Sequence, residues 1–313
     1  MIVARSLEEI SRDARSVVTV GTFDGMHAGH QAIVREVTSR SKARGGRSAV
    51  VTFEPHPRTV LQPVPVPLLS TLSERVGILQ EAGIDLVLAV RFTYEFSRQT
   101  SREFYERTIV GGVGAAEVIV GSDHHFGRDR EAGLGELDVI GREFGFVTSV
   151  VPPVSIDGGV VSSSRIRRLL EEGKVEQAER LLLRPYAVSG TVVRGDGRGA
   201  SLGFPTANIR PDAESKLVPA GGVYVAAVDL EPGRRDFGML NIGTRPTFGG
   251  GGQHRTIEVH VFGFSGDLYG HTLGIRFLRR LRDEKTFASP DALVRQLAAD
   301  RAESMKVIAE GQH

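Results

Sequence analysis

A β-branched run that stops on glycine and turns straight into a helix leaves a chain few ways to fold. Val17, Val18, Thr19 and Val20 form such a run, of the kind that makes a buried parallel strand. Gly21 breaks it, and further on Ala32, Ile33, Val34 and Val37 recur at helical spacing. Between them lies Gly21-Thr22-Phe23-Asp24-Gly25-Met26-His27-Ala28-Gly29-His30. The segment therefore joins a strand to a helix N-terminus, where unpaired backbone N–H groups and the helix dipole favour anions. Its glycines let a phosphate approach the backbone. The i, i+3 spacing of His27 and His30 lets both converge on one ligand oxygen if the turn is tight. As donors they would stabilise charge that develops during phosphorus chemistry. No cysteine and no HExxH pattern accompanies them, which argues against zinc. The same histidines would also serve as simple caps of the helix, and the turn alone does not separate the two readings.

The alternation continues for half the chain. Ser48 to Phe53 reads as a second strand running into Glu54-Pro55-His56-Pro57, whose prolines stop it. Gln62 to Leu68 reads as extended, Ser70 to Glu81 as a capped helix with Leu72, Val76 and Leu79 inward, and Asp85 to Val90 as a third strand. Ser101 to Val110 reads as a short helix and Glu117 to Val120 as a fourth strand. Such alternation predicts an α/β domain with a doubly wound parallel sheet, its ligands beyond the strand C-termini. Three loops should open there: the first, the one carrying His56, and Gly121-Ser122-Asp123-His124-His125-Phe126-Gly127. Farther on, Val161 to Arg167 (VSSSRIR) leads into a helix, where serine hydroxyls can cap or meet phosphate and Arg165 or Arg167 can pair with it.

The texture changes after Arg184-Pro185-Tyr186. Short strands separated by glycines follow (AVSGTVV, GVYVAAVDL, DFGMLNIG, TIEVHVFGF, LGIRFLRRL), which predicts a small antiparallel β-barrel. A closing helix has Ser289 as N-cap, Pro290 at N1, and Leu293, Val294, Leu297 and Ile308 as its apolar face. The boundary is accordingly expected between 1–183 and 184–313. In the barrel half, Gly195 to Asn208 (GDGRGASLGFPTAN) is glycine-rich without the Walker lysine, yet can form a nest of N–H groups for phosphates. Thr206 and Asn208 lie on one side of an extended segment and offer two oxygens to Mg²⁺. In TIEVHVF the alternation sets Glu258 on the face opposite Ile257 and Val259.

A length of 313 residues suits two domains. The 39 basic residues against 38 acidic ones leave +1, so no global field draws in nucleic acid or a membrane surface, and neither is expected as a partner. The absence of cysteine excludes a disulfide scaffold and fits a reducing cytosol. The first residues mix charge among apolar positions and read as no signal peptide, and no apolar run nears a membrane span. A cytoplasmic location is expected.

GTFDGMHAGH matches the GxFDGxHxGH signature of nucleotidyltransferases and resembles in particular the bacterial bifunctional riboflavin kinase/FAD synthetase family. The later VSSSRIR looks like that family's SS(T/S)xIR element, and TFEPHP resembles its TFxPHP loop. In the second half, GASLGFPTAN is similar to the riboflavin kinase signature GxxxGxPTAN, accompanied by Asn241 to Phe248, TIEVH, and Leu268-Tyr269-Gly270 with Leu281 to Glu284. The loop at His124 and His125 departs from the family's G-x-(D/N)-F-x-F-G, keeping only Phe126 and Gly127 of its end.

The resemblance implies an FMN adenylyltransferase domain and a riboflavin kinase domain. Riboflavin and ATP would give FMN and ADP, and FMN with a second ATP would give FAD and pyrophosphate, both with Mg²⁺. It further implies Glu258 as the base for the riboflavin 5′-hydroxyl, with His27, His30 and Arg167 acting on the departing pyrophosphate. Gly21, Phe23, Asp24, Gly29, Ser163, Ser164, Gly197, Gly203, Pro205 and Thr206 would bind nucleotide. His56, Pro57, Asp123 and Arg282 would bind flavin, and Thr206 and Asn208 the metal. Two alternatives remain at this point: a riboflavin kinase whose first domain has drifted to weak activity, motivated by His124 and His125, and a non-enzymatic flavin-binding regulator.

Overall fold

The computed structural model describes residues 1–124, 133–195, 199, 202–231, 233–246 and 253–311. Gly197, His125, Phe126, Gly127, Thr247 and Phe248 lie outside them. Two compact units divide the chain, Met1–Ser163 and Ser164–His313.

In the first unit the elements run β1 (Ile2–Ala4), β2 (Ser16–Val20), α1 (Ala28–Arg44), β3 (Ser48–Glu54), α2 (Pro57–Leu61), α3 (Leu72–Glu81), β4 (Leu86–Arg91), α4 (Tyr94–Ser97) and α5 (Ser101–Phe104). A π-helix (Tyr105–Val113) leads to β5 (Ala115–Gly121), α6 (Leu134–Phe144), β6 (Val147–Val151) and the hairpin β7 (Ser155–Ile156) and β8 (Gly159–Val160). Six strands form one sheet in the order β1-β4-β3-β2-β5-β6, every neighbouring pair parallel. The order reverses between β2 and β5, so the loops after these two strands flank the switch point where open α/β sheets take their ligands. β2 and β3 are buried on both faces, which is why they read as continuous apolar runs. One core layer gathers Val18, Val51, Phe53, Leu88, Phe104 and Ile109, the other Val17, Val34, Val37, Val50, Leu79 and Ile119.

The second unit opens with α7 (Ser163–Glu171), which starts on the last residue of the first, and α8 (Val175–Leu182). Strands β9 (Tyr186–Val193), β10 (Ala207–Pro211), β11 (Gly222–Glu231), β12 (Arg234–Pro246), β13 (Gln253–Val261) and β14 (Thr272–Arg282) close an antiparallel barrel ordered β10-β13-β12-β11-β14-β9, and α9 (Pro290–Glu310) follows. Tyr224 and Phe277 meet edge to face inside it, with ring centroids 5.3 Å apart. Ala220 donates its N–H to the Leu170 carbonyl (2.9 Å), and α8 buries Val175, Ala178, Leu181 and Leu182. Both fold classes expected from the sequence are present.

Several details differ. β1, β6, the β7–β8 hairpin and the barrel strand β10 are additional to the elements read from the sequence. The helix expected over Ser101 to Val110 is a single α-turn that widens into a π-helix through Val113. In α9 the buried positions are Asp300, Ser304 and Val307, whereas Leu293, Val294, Leu297 and Ile308 are half-buried. At Asp300 the helix meets the barrel through an ion pair, accepting from Arg282 Nη2 at 2.7 Å, and the apolar packing is confined to its C-terminal end at Val307 and Ile308.

Candidate active site

The turn after β2 is strained. Phe23 (φ 49°) and Met26 (φ 43°) hold left-handed backbone without being glycine, with Gly25 (φ 81°) between them. Such conformations persist only where the surroundings over-determine them, and they cluster at working sites. At Gly25 a side chain would also meet Leu69 within 2.8 Å. The turn is held by hydrogen bonds. The buried Asp24 carboxylate accepts from the N–H groups of Leu69 (3.2 Å) and Ser70 (2.9 Å), and Gly25 N–H donates to Ser70 Oγ (2.8 Å). Ser163 Oγ donates to the Asp24 carbonyl (2.9 Å), which brings the second serine of the SS(T/S)xIR element onto this turn.

α1 begins at once, with His27 as N-cap accepting the His30 N–H on Nδ1 (3.4 Å). Capping is therefore a real role of His27, and it fixes the tautomer: in the neutral ring Nε2 carries the proton, the donor form that a phosphate oxygen requires. The His27 and His30 rings stack with centroids 3.7 Å apart, and Phe23 meets His30 edge-on at 5.1 Å. Gly21 ends β2, its N–H donating to the Val51 carbonyl (3.0 Å), and Gly29 lies against the His27 ring. The far half of α1 is fastened to the sheet through buried Glu117, which accepts from Arg40, from Arg44 Nε (2.9 Å) and from Ser149 Oγ (2.8 Å). Desolvation pushes that carboxyl up, but these donors outweigh it and hold its pKa below the ordinary carboxylate value.

The other loops of this edge carry the remaining candidates. His56 is buried and caps α2, Nδ1 accepting the Arg58 N–H (3.1 Å), with Pro57 the first helical residue. Asp123 is exposed. His124 Nε2 lies 3.0 Å from the hydroxyl of Tyr105, a buried π-helix residue whose phenol pKa burial pushes up. The departure from the family pattern at His124 thus places an imidazole on a buried tyrosine. Ser164 and Arg167 lie on α7 in the second unit, the serine exposed and the arginine buried.

One residue of this edge escapes the sequence reading. Arg75 on α3 is 1% exposed, and its Nη1 donates to the Thr22 carbonyl (2.7 Å) and Thr52 Oγ1 (2.9 Å) while Nη2 donates to the Glu54 carboxylate (2.8 Å). Desolvation lowers the guanidinium pKa, and Glu54 and Asp24 act in the opposite sense. The available signal was its spacing, since Arg75 falls between Leu72 and Leu79 on the inward stripe of α3.

In the barrel, Glu258 on β13 stands in register with Asn208 of β10 on one side and Asn241 of β12 on the other. All three point to the face opposite the buried Ile257, Val259, Leu240 and Ile242. Thr206 Oγ1 is 3.5 Å from Glu258 Oε2. His260 Nδ1 donates to the Pro205 carbonyl (2.8 Å), so the segment from Pro205 to Asn208 is tied to β13 at two points. At Gly195 a Cβ would come within 2.1 Å of the Asn208 side-chain amide nitrogen, so a larger residue there would displace that amide. Gly203 (φ 80°) turns the chain into this segment. Arg282, expected at the flavin, places Nε and Nη2 on the Asp300 carboxylate and Nη1 on the Asp283 carbonyl. A carboxylate, a hydroxyl and two amides on one barrel face can accept a proton and hold a hard cation with phosphates.

Comparison with known proteins is consistent over the full length. Residues 9–165 match the FAD synthetase family and residues 182–308 the riboflavin kinase family. A bifunctional riboflavin kinase/FMN adenylyltransferase of Pseudomonas fluorescens is 37% identical, with 100% of both chains covered, and that of Escherichia coli K12 is 36% identical over 96% of each. A solved protein from Streptococcus pneumoniae described as a macrolide-efflux protein superposes with a TM-score of 0.88 at 32% identity, covering 97% of this chain and 98% of that one. Among the described residues, no helix is long and apolar enough to cross a membrane.

Proposed function

This chain belongs to the family of bifunctional riboflavin kinase/FMN adenylyltransferases, and from that premise we propose which of its residues perform each reaction. It is a transferase that phosphorylates riboflavin to FMN and adenylylates FMN to FAD. Both family matches and the full-length relatives disfavour a kinase with a drifted, weakly active first domain and a non-enzymatic regulator.

In the kinase half, Glu258 accepts the proton of the riboflavin 5′-hydroxyl as that oxygen attacks the γ-phosphorus of ATP and ADP departs. The observation that carries this is the row Asn208, Glu258, Asn241 across three strands with Thr206 alongside. Thr206 and Asn208 supply oxygen donors only, which fits Mg²⁺ shared with substrate phosphates, and among the described residues no cluster of three or more His, Asp or Glu offers an all-protein cage. Bound there, the ion would neutralise phosphate charge. Gly197, Gly203 and Pro205 belong to the phosphate loop on this reading.

In the adenylyltransferase half, the FMN phosphate attacks the α-phosphorus in line while His27 and His30 donate to the departing pyrophosphate at the α1 N-terminus. Gly21, Phe23 and Gly29 shape the turn, Asp24 serves it by holding it to Ser70, and the second family element assigns nucleotide binding to Ser163 and Ser164 and a catalytic role to Arg167. His56, Pro57 and Asp123 take the flavin side. The functional boundary is placed at 183/184, and a cytoplasmic enzyme acting on small molecules, without nucleic acid or membrane, suits ATP and flavin substrates. Assaying the two steps separately tests the division: Glu258→Gln should stop FMN formation and His30→Ala FAD formation, and loss of both steps in either variant would refute it.

A further inference from the structure

Neither set of roles uses Arg75, although it is the largest fully buried side chain among the described residues. Its terminal nitrogens reach the Thr22 carbonyl in the turn after β2, and Thr52 Oγ1 and the Glu54 carboxylate in the last residues of β3, the strand that runs into the His56 loop. Thr52 Oγ1 also donates to the Thr22 carbonyl (3.2 Å). Meanwhile Arg75 Nε–H is buried without a hydrogen-bond partner. A buried guanidinium adds little net stability over an apolar side chain of similar volume, so its structural effect lies in what its terminal nitrogens hold together. The segment leading into the same helix holds the turn a second time, through the backbone N–H groups of Leu69 and Ser70 on Asp24, just ahead of the Thr71–Glu74 capping box.

The turn and the strand so joined lead to His27 and His30 on one side and to His56 and Pro57 on the other. In-line attack needs the reacting atoms held at roughly 3 to 3.5 Å, and a displacement of ~1 Å can cost about 10²-fold in rate. We infer that Arg75 is a positioning residue for adenylyl transfer, tying the phosphate turn to the flavin loop and setting their separation without touching the reacting atoms; this role depends on the reading of those loops given above. Arg75→Lys keeps the charge but ends in a single nitrogen and cannot span the three acceptors on the turn and on β3.

The test compares native protein, Arg75→Lys, Glu54→Gln and His30→Ala, with rates normalised to the folded fraction by circular dichroism and the riboflavin kinase rate as an internal control. Arg75→Lys is expected to lower kcat for FAD formation by about 10- to 100-fold while the KM values for FMN and ATP stay within about 3-fold and the kinase rate is unchanged. Glu54→Gln, which leaves Arg75 its Thr22 and Thr52 contacts, should lower kcat in the same sense by a few-fold. A folded Arg75→Lys protein with kcat within 2-fold of native overturns the role, as does native kcat in Glu54→Gln if the lysine variant fails to fold. Should His30→Ala itself retain native FAD synthesis, the reading of the loops fails; should His30→Ala be inactive and the Arg75 and Glu54 variants native, the inference alone fails.

Discussion

Glu258→Gln separates the chemistry of the kinase half from its architecture. The side chain is half-exposed on the outer face of β13, and glutamine keeps its length and its neighbour Thr206 Oγ1 at 3.5 Å while losing the capacity to take a proton. No buried apolar contact is removed, so stability should change by no more than ~0.5 kcal/mol. Loss of a general base typically costs ~10² to 10⁴ in rate, equivalent to ~3 to 5 kcal/mol of barrier, so the kinetic effect exceeds any stability effect several-fold. The assay follows FMN formed from riboflavin, ATP and Mg²⁺ by chromatography, with thermal unfolding of the same preparations. FAD formation from supplied FMN should stay near native. A variant that unfolds like the native protein and makes FMN within a few-fold of its rate would refute the assignment of Glu258.

His30→Ala should slow FAD synthesis by about 10² to 10³, the worth of one donor aimed at developing charge, and spare the kinase, as assays started from FMN and from riboflavin would register. A fragment of residues 184–313 should phosphorylate riboflavin, and one of residues 164–313 should do so with a higher melting temperature because it keeps the apolar face of α8; a folded fragment without kinase activity would contradict the division of labour. Asp300→Asn leaves the Arg282 guanidinium, 13% exposed, without its charge partner, and should destabilise the barrel unit by ~3 to 5 kcal/mol in denaturant titrations.

What the sequence revealed follows from how each element is stabilised. β2, β3 and the barrel strands are long or regularly patterned, so local periodicity announces them, and the βα turn and PTAN segment declare themselves by residue type. β1 is three residues among charges and exists only through pairing with β4, and β10 includes Pro211 and adjoins a glycine-rich stretch. Such elements depend on partners distant in sequence. The same holds for the site. His27, His30 and Glu258 were legible, but Asp24 as the clamp on Ser70, Arg75 as the tie between turn and strand and Arg282 as the partner of Asp300 each depend on a residue more than ten positions away. A charged side chain on an inward stripe marks such a tie, and only its partner tells whether it binds ligand or backbone.

The central claim is that one chain carries out both reactions. The purified native protein, incubated with riboflavin, saturating ATP and Mg²⁺ and sampled over time, should show FMN rising first and FAD following at its expense. FMN that accumulates without conversion to FAD, or riboflavin left unchanged, would contradict it.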